Sequence, residues 1–271
     1  MAAFLHIQPQ RIEGVMIELT AGDGHKFSAY RADPSGAPKG AVVVVQEIFG
    51  VNSHIKKVAD GFAEKGYVAI APAIFDRAKI GVSLGYDEAA IAEGLQLVKQ
   101  VGLDGAIADI QATVESIKSA GKVAIVGYSW GGYLAYASTN RVSGLACAIG
   151  YYGDGVENDY REKRKIPTLL HFGESDPVIP FEEVIQFRAN RPDVSAFSYP
   201  AAGHGFNCDD RDSYNEEAAQ KALERTLFWI SQYVEGQPPI MLKNSGSYAQ
   251  AKTEKKKKKK EAADDLGPPM D

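Results

Sequence analysis

Cysteine is scarce in this chain. Cys147 and Cys208 are the only two in 271 residues, and their spacing matches no zinc or redox motif. A disulfide framework or a cysteine-built metal centre is therefore excluded, and a chain of this length can bury a sizeable core without either. Long apolar runs are also missing: no stretch approaches the roughly 18 residues needed to span a bilayer. The opening MAAFLHIQPQ lacks the basic start and continuous apolar segment of a secretory signal. These absences predict a cytoplasmic protein with reduced thiols and no membrane partner. No G-x-G-x-x-G follows a first strand and no G-x-x-x-x-G-K-[ST] occurs, so a nucleotide-phosphate cradle is not expected.

What is present is an ordinary globular balance, 45% hydrophobic and 24% charged. The formal charge of −5 is unevenly spread. From Gly236 onward there are eight lysines against five acidic residues, a net of +3, leaving 22 basic and 30 acidic residues and −8 for residues 1–235. So acidic a body does not favour nucleic acid, whose affinity depends on neutralising phosphates. After Gly236 come Pro238-Pro239, six consecutive lysines at 255–260 and DDLGPPMD, none of which builds a core. The expected organisation is one domain over 1–235 and a flexible lysine-rich tail over 236–271.

Along the body, strand and helix patterns alternate. Strands are expected at 11–19 and 25–31, joined by a hairpin at Asp23-Gly24. AVVVVQ at 41–46 is a β-branched run suited to a strand buried on both faces. Further strands are expected at 67–72, 122–129, 144–153, 168–173 and 194–199. Helices are expected at 52–65, 87–99, 103–119, 130–139, 181–189 and 213–234. Such alternation implies an α/β fold, a mostly parallel central sheet with helices on both faces.

The sharpest motif is Gly127-Tyr128-Ser129-Trp130-Gly131-Gly132. It follows a buried strand and opens a helix, the strand–turn–helix context of a nucleophile elbow in the α/β-hydrolase fold. The glycines are steric necessities, because side chains at 127 and 131 would collide with neighbouring backbone. The elbow lifts the Ser129 hydroxyl to a helix N-terminus, where N–H groups can stabilise an oxyanion.

A serine hydroxyl needs an adjacent base, and only five histidines are available: His6, His25, His54, His171 and His204. His6 lies in the N-terminal extension, His25 in a hairpin, His54 at a helix start and His171 inside a strand. His204 sits between two glycines in AAGHGFN, on a loop after the last strand. That is the place for the base when the triad runs serine, acid, histidine along the chain. The acid then lies between 129 and 204. HFGESDPVIP offers Asp176 with Glu174 as its competitor, and Asp154 and Asp159 follow an earlier strand. Pro177 keeps Asp176 out of helix and in the connecting loop. The second oxyanion donor is expected after the first buried strand, in Gln46-Glu47-Ile48-Phe49-Gly50, which makes the N–H groups of Ile48 and Trp130 the pair.

QEIFG at 46–50, APAIFDR at 71–77, GYSWGG at 127–132, GESDPVIP at 173–180 and GHGF at 203–206 together resemble the motif blocks of the dienelactone hydrolase family. They occur in the family's order and span most of 11–235. The resemblance implies Ser129 as nucleophile, Asp176 as acid and His204 as base. It also implies that Glu47 contacts the nucleophile at rest and that Arg77 grips a substrate carboxylate through its bidentate fork. It implies enol-lactone substrates and no cofactor or metal. Two positions depart from the pattern. Serine stands where the best-known members carry cysteine, so the nucleophile leans harder on its base. Cys208 stands where they place a second carboxylate-binding arginine, and Arg211 is the residue able to reach back in its stead.

The expected function is hydrolysis of small carboxylic esters or lactones by a Ser-His-Asp triad through an acyl-enzyme. A general carboxylesterase with an unrelated natural substrate is the alternative, and a non-catalytic binding protein of the same fold a more distant one. The partner is a small molecule, and nothing in these residues fixes an oligomeric state.

Overall fold

The structure, a computed structural model, describes residues 12–235. The expected lysine-rich tail lies outside the described residues, as does His6. Eight strands form one sheet in the order β1-β2-β4-β3-β5-β6-β7-β8. β1 (Val15–Thr20) and β2 (Lys26–Ala32) form an antiparallel hairpin, and β2 runs antiparallel to β4 (Val68–Pro72). The other pairs are parallel: β3 (Ala41–Val45) with β4 and with β5 (Val123–Tyr128), then β6 (Leu145–Tyr151), β7 (Thr168–Gly173) and β8 (Ser195–Tyr199) in succession.

The AVVVV run of β3 has no exposed residue because its two faces feed two cores. Val42 and Val44 pack with Ile55, Ala59 and Phe62 of α1 (Ser53–Glu64) and with Ala218, Ala222 and Ile230 of α5 (Glu216–Tyr233). Ala41, Val43 and Val45 face the other way, onto Leu97, Ala106, Ile110 and Val114 of α2 (Glu88–Ile117) and Leu134 of α3 (Trp130–Arg141). Period-two alternation thus places one strand in both layers. The remaining helix, α4 (Phe181–Asn190), adds Val184 and Phe187 to the first core.

Helix starts follow their caps. Asn52 accepts the Ile55 N–H of α1, and Asp87 accepts the Ala90 N–H of α2. The helix expected from Ser213 begins at Glu216 instead, because the side chain of Asn215 takes the cap position and accepts the Ala218 N–H. The two helices expected at 87–99 and 103–119 are one element broken at Gly102, whose φ of 67° and ψ of 170° are not helical. A 3₁₀ turn, Ile74–Arg77, follows β4, and Ser83 beyond it makes an isolated bridge to Gly50. Among the described residues no helix is long and apolar enough to cross a membrane.

The loops that leave the carboxyl ends of β3, β5, β7 and β8 carry Glu47 and Ile48, Ser129, Asp176 and His204 respectively. Parallel strands point these four ends to one edge of the sheet, the usual place for a ligand in an open α/β sheet.

Candidate active site

Ser129 occupies the turn between β5 and α3 with φ 53° and ψ −120°, a conformation that costs a non-glycine residue free energy. Its neighbours permit it. A Cβ on Gly127 would lie 1.8 Å from the Gly131 carbonyl oxygen, and one on Gly131 would lie 2.4 Å from the carbonyls of Val45 and Gln46. Only glycine lets β5, α3 and the end of β3 approach so closely. The Ser129 N–H donates to the Tyr151 carbonyl at 2.9 Å, which ties the turn to β6.

Ser129 Oγ stands 2.8 Å from His204 Nε2, and His204 Nδ1 stands 2.9 Å from Asp176 Oδ2. An ionised carboxylate only accepts, so Nδ1 carries the proton and Nε2 is left free to accept from the serine hydroxyl. Asp176 is itself held: its Oδ1 accepts the N–H groups of Val178 and Ile179 at 2.8 and 3.1 Å. Those bonds and Pro177 fix the carboxylate on its loop. Glu174, the competing acid, is occupied elsewhere by the Ser198 hydroxyl at 2.7 Å. Asp159 lies beside Arg164.

The other described histidines are engaged away from Ser129. His25 stacks on Phe27, and His54 pairs with Asp209 at 3.2 Å. His171 is fully buried between the Tyr199 and Thr226 hydroxyls, and burial drives its pKa down to about 3.

Beside Ser129 opens a cavity of about 370 Å³, lined by Ile48, Phe49, Trp130, His204, Arg211 and Asp154, with Ile91, Leu95 and Val98 of α2 as its apolar wall. Among the described residues no backbone carbonyl accepts the N–H of Ile48 or of Trp130. Both groups therefore retain an unused donor next to the serine.

Glu47 and Arg211 come together here, and Arg77 does not. Glu47 is 1% exposed, neither of its carboxylate oxygens accepts a hydrogen bond among the described residues, and Arg211 Nη1 lies 3.6 Å from Oε1. The Arg211 guanidinium also lies 5.6 Å from the ring centres of both Phe49 and Tyr86. Cys208 donates its thiol to Tyr86 Oη, and burial pushes its pKa up to about 11. Arg77, expected to face a substrate carboxylate, spends its fork instead on Asp109 at 2.8 and 2.9 Å and on Asp23 at 2.7 and 3.2 Å. Asp109 is wholly buried on α2, and a buried carboxylate demands a cation. That demand holds Arg77 away from the residues lining the cavity.

Three contributors were not anticipated from sequence. Tyr152, with φ 37°, packs edge-on against the His204 ring with the ring centres 5.2 Å apart. The α2 wall was readable only as a helical face, although Ile91, Leu95 and Val98 do recur at helical spacing. Asp154 was weighed as an acid and instead lines the cavity rim.

An open, mostly parallel eight-stranded sheet flanked by helices, with serine, acid and histidine in that chain order on carboxyl-end loops, is the architecture of an α/β-hydrolase. The chain belongs to the dienelactone hydrolase family, whose sequence model matches residues 27–234, and it is thereby a hydrolase. It is 31% identical over 230 residues to the carboxymethylenebutenolidase of Pseudomonas putida, covering 81% of this chain and 96% of that one. It is 34% identical over 227 residues to the carboxymethylenebutenolidase of Pseudomonas sp. strain P51, covering 79% and 93%. Among solved structures, a Klebsiella pneumoniae protein assigned to the dienelactone hydrolases superposes with a TM-score of 0.72 at 29% identity, over 81% of this chain and 99% of that one. An esterase of Pyrococcus furiosus, at 16% identity over 82% of this chain and 93% of that one, shares the fold with a TM-score of 0.60.

Proposed function

We propose that the protein hydrolyses small carboxylic esters or lactones with Ser129, His204 and Asp176 as its catalytic triad. The observation that carries this reading is the continuous chain of two contacts, 2.8 Å from Ser129 Oγ to His204 Nε2 and 2.9 Å from His204 Nδ1 to Asp176 Oδ2. Ser129 Oγ attacks the acyl carbon while His204 takes its proton. Asp176 keeps the imidazole in the accepting tautomer and stabilises the imidazolium. The N–H groups of Ile48 and Trp130 receive the carbonyl oxygen as it becomes an oxyanion. His204 then protonates the leaving oxygen, and water, deprotonated by the same histidine, releases the acid from the acyl-enzyme. With a lactone, the leaving oxygen remains tethered to the product.

Substrate choice in this reading rests on the cavity. Ile91, Leu95, Val98, Phe49 and Trp130 favour an apolar body, and Arg211 supplies one guanidinium for a carboxylate. With Arg77 committed to Asp109 and Asp23, recognition of a dienelactone carboxylate falls to Arg211 alone. The same commitment favours the alternative of a carboxylesterase whose natural substrate carries no carboxylate. The free, buried thiols of Cys147 and Cys208 support a cytoplasmic setting.

The test is turnover of p-nitrophenyl acetate beside cis- and trans-dienelactone, before and after reaction with a fluorophosphonate. Labelling of Ser129 with loss of turnover is expected, and Ser129→Ala should abolish both without unfolding the domain. A dienelactone preference assigns the carboxylate to Arg211, and an aryl-ester preference assigns the protein to the general esterases. An unlabelled, inactive wild type would overturn the triad reading in favour of a non-catalytic protein.

A further inference from the structure

The oxyanion loop 46–50 belongs to no helix or strand, yet the Ile48 N–H must be held to a fraction of an ångström to be of use. Several contacts hold it. Leu84 N–H donates to the Phe49 carbonyl at 2.8 Å, and Gly50 bridges to Ser83. Asn52 Nδ2 ties the same segment down by donating to the Leu84 carbonyl at 3.4 Å and to Tyr86 Oη at 3.0 Å. A further close contact comes from α2. Gly94 is buried against the loop so closely that a Cβ built on it would lie 2.1 Å from the Ile48 carbonyl oxygen and 3.1 Å from both the carbonyl carbon and the Cβ of Ile48.

We propose that Gly94 is a positioning residue of the oxyanion hole: bare backbone of α2 rests on the carbonyl and Cβ of Ile48 and so sets the Cα from which the Ile48 N–H projects. The proposal rests on the hydrolase mechanism above and names what aims one of its two donors. Gly94 sits one turn along from Ile91 and next to Leu95, two of the residues that line the cavity. One helix therefore supplies both the apolar wall for substrate and the stop against which the oxyanion donor is set. A glycine in the middle of a helix is unfavourable relative to alanine. Close approach to Ile48 is the reason it stands there. Any side chain at 94 would have to drive Ile48 outward by about 1 Å to reach an ordinary contact, a displacement on the scale that costs ~10²-fold in rate.

The contact acts on the transition state, so kcat and KM should separate. Gly94→Ala is expected to lower kcat for p-nitrophenyl acetate about 100-fold while KM stays within about threefold. Affinity for a trifluoromethyl ketone, which forms a tetrahedral adduct on Ser129, should fall by a similar factor, with inhibition by acetate unchanged. Gly61→Ala, in α1 where an added Cβ meets nothing within 4 Å, should leave all these constants unaltered. Asn52→Asp provides an independent route. It keeps the acceptor for the Ile55 N–H but removes both donors to the 84–86 segment, and should lower kcat about threefold to tenfold without raising KM.

A folded Gly94→Ala with wild-type kcat, or one that loses ketone and acetate affinity equally, overturns the proposal. Should that variant not fold, Asn52→Asp decides, and an unchanged kcat overturns it. An inert wild type overturns the hydrolase mechanism and this role with it, whereas an active wild type beside an equally active Gly94→Ala overturns only the role of Gly94.

Discussion

Arg211 Nη1 stands 3.6 Å from Oε1 of Glu47, a carboxylate that is 1% exposed and accepts no hydrogen bond among the described residues. The pair is a charge balance without a hydrogen bond. Arg211 compensates a buried anion on one side and offers a guanidinium to the cavity on the other. Removing it should therefore have two separable effects. Arg211→Ala should cost about 3 kcal/mol of stability by stranding the Glu47 charge, and should raise KM tenfold or more for carboxylate-bearing esters alone. Adding Glu47→Gln should restore the stability, read as a denaturation midpoint, but not the KM.

Arg77 is expected to behave in the opposite way. Its partner Asp109 is fully buried and its fork is filled, so Arg77→Ala should lower stability by about 3 kcal/mol. KM for charged and neutral esters should stay within about twofold of wild type. A selective rise in KM for the charged ester would return Arg77 to the substrate.

Acid should destabilise the fold through His171. Burial lowers its pKa from 6.5 to about 3, so between those values the unfolded chain binds a proton that the native state refuses. Its contribution is fully present above pH 6.5 and is lost as pH falls toward 3, at up to ~1.4 kcal/mol per pH unit. Urea titrations at pH 7.5 and 5 should show the loss. His171→Asn should be less stable at pH 7.5, where the Tyr199 and Thr226 hydroxyls lose their partner, yet should have a flatter pH slope.

Leu95 lines the cavity while remaining 49% exposed. Leu95→Gln keeps a good helix former and should change stability by no more than about 0.5 kcal/mol. It should lower kcat/KM for a hexanoyl ester by ~10-fold relative to the acetyl ester, since only the longer acyl chain reaches the wall. Parallel kinetics with the two p-nitrophenyl esters measure that ratio.

The chain's own residues determined the layered α/β fold, because a β-branched run such as AVVVV has only one comfortable home, a strand buried on both faces. They also determined the place of Ser129, since the elbow is a local device: Gly127 and Gly131 are required by backbone within a few residues and by the strand alongside. Asp176 and His204 were legible for a related reason. Parallel strands bring their carboxyl ends to one edge, so a loop residue's position in chain order nearly fixes its position in space.

Only the tertiary structure decided the rest. Arg77 could be read as a free guanidinium until Asp109, 32 positions away on α2, was buried beside it. The α2 wall and the close approach of Gly94 to Ile48 arise from helix α2 crossing a loop 46 residues earlier. Hydrophobic periodicity reports which face of a helix is buried, not what lies against it. The identity of a contact, and with it the compensation of a buried charge or the aim of an N–H, exists only once the elements have packed.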